Sequence, residues 1–263
     1  MSEAKEQKEQ KEQKEQELII GRNPVMEVLR SGRDINKIFV GEGSQKGPVS
    51  TIVSMAKKQN VLVQYVPKQK LDSLSGGGNH QGVIAGVAAY SYADIDDLFK
   101  IAEERGEEPF FLLLDELEDP HNLGSIMRTA DAVGAHGIII PKRRSVGLTA
   151  TVAKASTGAI EYIPVVRVTN LVQTMKELRD RGMWFAGADM KGKDDYRQAK
   201  WDMPLGLVIG SEGKGMGRLV SETCDFLVQL PMKGKVTSLN ASVAASLLMY
   251  EVYRNRNPLE ARK

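Results

Sequence analysis

The sequence predicts an α/β protein: a C-terminal unit with a mostly parallel sheet and helices on both faces, preceded by a small α/β sandwich. Three observations carry this. Strand-length apolar runs alternate with helix-period segments from residue 110 onward. Residues 110–114, FFLLL, are continuously apolar, as in a strand buried on both faces of a parallel sheet. Two later strands, at 205–209 and 226–230, end in polar, glycine-bearing loops, the second followed by a helix start. An open α/β sheet places its ligand at such strand ends.

The elements follow in order. Residues 5–16 are four copies of Lys-Glu-Gln without an apolar residue, so 1–17 are expected to be a solvated, disordered tail. The first folded unit spans 18–90. An apolar run at 18–21 leads to Asn23-Pro24, an N-cap followed by proline at the first helical position, and Val25, Val28 and Leu29 give that helix one apolar face. Strands are expected at 38–40, 61–66 and 82–89, helices at 49–59 and 70–74, and a flexible turn at 75–79, SGGGN. Residues 91–108 are charged and poor in apolar anchors after Leu98 and Phe99, and read as a linker with one short helix. The second unit spans 109–263. After 110–114 comes a helix carrying Arg128, then strands at 137–140, 163–166, 183–188, 205–209 and 226–230. Helices at 149–157, 171–181 and 241–253 complete it.

Composition narrows the function classes. An apolar content of 41% and a charged content of 27% describe an ordinary globular protein. No apolar run approaches the ~20 residues of a membrane span, and no secretory segment is present, so no membrane partner and a cytoplasmic location are expected. The single cysteine, Cys224, reads as a small buried hydrophobe. His80, His121 and His136 have no metal-ligand spacing, and no metal is expected. The net charge is only +2, and residues 1–17, with four Lys and six Glu, account for −2. Basic residues nevertheless follow candidate strands: Lys142-Arg143-Arg144, Lys191 with Lys193, Lys214 with Arg218, and Lys233 with Lys235. In one parallel sheet these loops share a rim, which would hold a polyanion although the chain is nearly neutral.

The loop after the strand at 205–209 reads Gly210-Ser211-Glu212-Gly213-Lys214-Gly215. A phosphate-binding P-loop needs Ser or Thr after Gly-Lys, and the dinucleotide fingerprint needs a third glycine where Arg218 stands; both fail, which sets aside a dehydrogenase. Three ordered motifs remain: N-L-G-x-x-x-R at 122–128, I-G-S-E-G-x-G at 209–215, and L-P-M at 230–232 followed by S-L-N-x-S at 238–242. Together they resemble the SpoU (TrmH) family of RNA ribose 2′-O-methyltransferases, over residues 18–256. The resemblance implies a deep trefoil knot in the C-terminal unit. It also implies S-adenosylmethionine held among Gly187, Gly210, Leu230, Met232 and Leu239, and a homodimer with shared active sites. Segments 21–25 and 80–83 fit the family's N-terminal domain, which resembles RNA-binding ribosomal proteins of the kink-turn class. That domain points to the ribosomal RNA guanosine branch; transfer RNA as substrate and a non-catalytic RNA-binding relative are the alternatives.

The candidate catalytic residues are Arg128, Glu212, Asn122, Ser238 and Asn240, and the chemistry leaves each two roles. A guanidinium, with a pKa above ~12, is a poor base, so Arg128 clamps a substrate phosphate or acts as a base only where its surroundings depress that value. Glu212 pairs with Arg128 or bonds the incoming ribose. Asn122 orients Arg128 or caps its helix, and Ser238 and Asn240 cap the last helix or contact ligand.

Overall fold

The computed structural model describes residues 17–259 apart from 32, 45, 46, 88, 89, 191, 193, 236 and 237. The tail at 1–16 and the pair Lys191 and Lys193 therefore lie outside the described residues. The chain divides into two compact units, one of residues up to Ser91 with Gly147–Thr151, the other of Tyr92–Val146 with the residues from Val152 onward.

In the first unit, strands β1 (Glu17–Ile20), β2 (Ile35–Gly41), β3 (Val63–Val66) and β4 (Val83–Val87) form a mixed sheet in the order β1-β4-β2-β3. β2 and β3 are parallel; β4 runs antiparallel to β1 and β2. Helices α1 (Arg22–Ser31) and α2 (Pro48–Lys58) bury Val25, Leu29, Ile52 and Ala56 against Ile38, Val40, Val83 and Ala85. Helix α3 (Lys68–Ser75) sets Leu71 against Phe39 and Ile84. Two helices on one face and one on the other make the expected sandwich. Helix α1 starts at Arg22, ahead of the expected cap at Asn23. The Val25 N–H reaches the Gly21 carbonyl, and Pro24 sits in the first turn, where its missing N–H costs nothing.

The second unit holds a seven-stranded sheet in the order β7-β6-β5-β10-β8-β11-β9, with every neighbouring pair parallel. The strands are β5 (Phe110–Leu114), β6 (Gly137–Pro141), β7 (Val165–Val168), β8 (Trp184–Ala188), β9 (Asp194–Asp195), β10 (Leu205–Ile209) and β11 (Phe226–Gln229). β9 is too short to be visible as an apolar run. β5 and β10 sit side by side at the centre, and every residue of both is buried. The one short helix expected in the segment 91–108 is helix α4 (Ile95–Arg105), and it belongs to this unit. Leu98 joins the buried core, Phe99 meets Phe111 edge-on with ring centroids 5.0 Å apart, and Ala93 bridges to Val166 of β7. A Cβ on Gly137 would fall 2.5 Å from Leu98, so glycine lets this helix lie close on β6. Helix α5 (Pro120–Ala132) is capped by Asp119, whose carboxylate accepts the His121 N–H at 2.8 Å; capping is thus not the role of Asn122. The remaining helices are α6 (Ala150–Ser156), of which the part from Val152 belongs to this unit, α7 (Leu171–Asp180), α8 (Arg218–Thr223) and α9 (Ala241–Arg256). Burial pushes the Cys224 thiol up to about 12.

Candidate active site

The site is built where β10 ends. A Cβ on Gly210 would lie 2.1 Å from the backbone of Gly215, so only glycine permits the chain to fold back here. Ser211 and Gly215 then exchange backbone hydrogen bonds of 3.0 and 2.9 Å, and Gly213 and Gly215 take left-handed φ values of 79° and 69°. The resulting closed loop presents Glu212. At the loop's exit the Gly217 N–H donates to Asp115 Oδ2 at 2.7 Å. Sequence reasoning passed over Asp115, which stands among several other acids in the segment DELED.

Glu212 joins the three motifs. Asn122, buried in the first turn of α5, donates from Nδ2 to Glu212 Oε1 at 3.0 Å. Asn240 Nδ2 donates to Asn122 Oδ1 at 3.0 Å and also, over a very short contact, to Glu212 Oε1. The Ala241 N–H reaches the same oxygen at 3.4 Å. Asn240 simultaneously caps α9: its Oδ1 accepts from the Ser242 N–H at 2.9 Å and the Val243 N–H at 3.3 Å. Of its two possible roles the cap is thus observed at one end of the amide, while the other end bonds Asn122 and Glu212.

Against this network lies a cavity of about 520 Å³. Gly210, Leu230, Met232 and Leu239 line it, as do Glu212 and Ser238. Gly187 does not. A Cβ there would come within 2.7 Å of Leu227 and Met216 and 2.9 Å of Cys224, so its glycine serves packing beneath the cavity floor. Its neighbours Ala188 and Asp189 line the cavity instead, together with Ile209 and Met216. The glycine of N-L-G-x-x-x-R also serves packing: a Cβ on Gly124 would fall 2.4 Å from Ala155.

Arg128 is exposed on α5 and is not among the residues lining the cavity. Among the described residues it has no hydrogen-bonded or ion-paired partner, so neither Glu212 nor Asn122 holds it. Both are engaged with Asn240 instead. The next residue, Thr129, meets Ser246 of α9 hydroxyl to hydroxyl at 2.9 Å. Beside that contact α9 exposes an apolar stripe: Val243, Leu247 and Tyr250 keep 47%, 45% and 53% of their surface in solvent. Within the basic rim, Arg144 is tied to Glu116 at 2.6 Å and Arg218 to Glu222 at 2.7 Å, while Lys233 and Lys235 are exposed. Lys214 lines the cavity. Among the described residues, no group of three or more His, Cys, Asp or Glu could hold a metal ion, and no helix is long and apolar enough to cross a membrane.

Comparison with known proteins agrees with this geometry. Residues 109–250 match the SpoU rRNA Methylase family, and residues 18–93 match the domain described as RNA 2′-O ribose methyltransferase substrate binding. The chain is 65% identical over 243 residues to a protein of Bacillus subtilis named as a TrmH family tRNA/rRNA methyltransferase, covering 92% of this chain and 97% of that one. It resembles the crystal structure of the SpoU methyltransferase AviRb from Streptomyces viridochromogenes, solved with AdoMet. There the TM-score is 0.58 and the identity 26%, over 91% of this chain and 90% of that one. An AdoMet-bound rRNA methyltransferase from Sinorhizobium meliloti gives a TM-score of 0.56 at 26% identity, over 90% and 86% of the two chains.

Proposed function

This chain belongs to the SpoU methylase family, and we propose that it methylates the ribose 2′-hydroxyl of a guanosine in ribosomal RNA, with S-adenosylmethionine as donor. The observation that carries the reading is the meeting of Asn122, Glu212 and Asn240 beside a cavity at the strand ends of a parallel sheet.

The residues present fit such a donor. A volume of about 520 Å³ lies within the ~300–1,000 Å³ typical of small-molecule sites. Ile209, Leu230, Met232 and Leu239 give an apolar slot for a base, and the glycine at 210 leaves the backbone open to it. When bound, the donor supplies a methyl group on a positively charged sulfur. Glu212 Oε1 takes the three donors that the described residues offer it, which leaves Oε2 to accept from the incoming ribose hydroxyl. Ser238 offers a further hydroxyl at the cavity wall.

Arg128 stands outside its own cavity, beside the apolar stripe of α9, and we assign it to the cavity of a second copy. A homodimer that covers Val243, Leu247 and Tyr250 would carry Arg128 across the interface, where its planar fork clamps a substrate phosphate. The first unit grips the RNA, and the C-terminal segment threaded through a knot belongs to the same reading. Mapping 2′-O-methyl groups in total RNA with and without the gene tests it. Loss of one guanosine mark in ribosomal RNA is expected; loss in transfer RNA would move the substrate, and an unchanged map would overturn the proposal.

A further inference from the structure

Among the described residues, Asp115 supplies the side-chain hydrogen bond to the exit of the glycine loop. Its own N–H extends the β5–β10 ladder by bonding the Ile209 carbonyl at 2.8 Å. Its carboxylate then reaches past the end of β10 and accepts the Gly217 N–H at 2.7 Å. The fit is close: a Cβ on Gly217 would sit 3.3 Å from that oxygen. Residues 210–216 all line the cavity, so the loop is the cavity wall. Its start is fixed by the β10 ladder and its middle by the Ser211–Gly215 exchange. At the exit the Gly217 carbonyl accepts the Ser221 N–H at 2.9 Å and Met216 is buried in the core, while the Gly217 N–H, which faces back toward β5, is held by Asp115.

We infer that Asp115 is a positioning residue, which holds the wall of the donor cavity in place by accepting the Gly217 N–H. The inference rests on the reading of that cavity as the donor site. Asp115 is buried, and burial raises its carboxyl above the usual carboxylate range against the lowering effect of the Gly217 N–H. A charged group kept there at that cost needs its one strong bond. Glu212 has further holds in Asn122 and Asn240, so the effect is read first in donor affinity.

The test uses the full chain as wild type, Asp115→Ala and Asp115→Asn, with S-adenosylmethionine titrated by calorimetry and amide exchange followed across residues 210–217. The alanine variant is expected to bind about tenfold more weakly or worse, because a hydrogen bond to a charged acceptor is lost. The Gly217 amide should lose protection. The asparagine variant keeps an acceptor of the same reach and should recover most of the affinity. Wild-type affinity in the alanine variant, or an asparagine variant as weak as alanine, overturns the inference. Should alanine fail to fold, wild-type exchange decides: a Gly217 amide that exchanges as fast as that of Lys214 also overturns it. A wild type that binds no donor would sink the reading of the cavity, while the exchange measurement would still judge the tie.

Discussion

Asn122 and Asn240, from helices far apart in the chain, bond amide to amide at 3.0 Å, and both donate to the same oxygen of Glu212. Such a network couples its members. Truncating Glu212 leaves the buried Asn122 amide short of a partner, at a cost of about 1–3 kcal/mol. Asn240→Ala additionally removes a helix cap worth about 1 kcal/mol. A double-mutant cycle on Asn122→Ala and Asn240→Ala, read by denaturant unfolding, should give a coupling of about 0.5–3 kcal/mol. Strict additivity would mean that the two residues are independent.

RNA binding should be electrostatic at the exposed lysines of the loop after β11. Replacing both Lys233 and Lys235 by Ala is expected to reduce the slope of log affinity against log salt by about 1.4, at roughly 0.7 per neutralised phosphate on single strands. An unchanged slope would remove this loop from the RNA path.

Shared sites predict complementation. Arg128→Ala and Asn240→Ala should each be inactive alone. Refolded together in equal amounts, half the dimers are mixed, and each mixed dimer has one intact site, so about a quarter of wild-type activity returns. Mixed dimers that form, as shown by differently tagged chains, yet stay inactive would place Arg128 in the same subunit as its cavity.

His136 makes stability depend on pH. It is buried, accepts the Phe110 N–H on Nδ1 at 3.0 Å and meets Glu107 through Nε2 at 2.9 Å. Burial holds its pKa below the ordinary value, with Glu107 opposing. The folded state therefore binds fewer protons than the unfolded state below pH ~6.5. The contribution is whole above that pH and is lost as pH falls through the depressed folded value. Melting temperature should decline on acidification from about pH 8 to 5 less steeply in His136→Gln than in wild type. Parallel curves would contradict this.

Much of the architecture was legible because burial on both faces writes itself into strands such as FFLLL and LGLVI. The three-residue contact set of Gly187 was not, since Leu227, Met216 and Cys224 lie far along the chain and converge only in space. In the segment at 91–108 the short helix was legible but its place in the core was not: Leu98 and Phe99 are few, yet Gly137 lets Leu98 sit close against β6. Asn122, Glu212 and Asn240 could be named from their motifs, but their bonding to one another, and not to Arg128, is a matter of where two helices begin.

The central place of β10 also has a consequence for how the protein is made. Residues 110–114 leave the ribosome about 90 residues before their neighbour at 205–209. At roughly 5–20 residues per second, that gap lasts about 5–20 s. Throughout it, one edge of the most apolar strand in the chain has no strand to pair with, which is the condition for mispairing and for chaperone capture. A message truncated before Leu205 would leave that edge open for good, and a slowly translated stretch between the two strands would lengthen the exposure without altering a single residue.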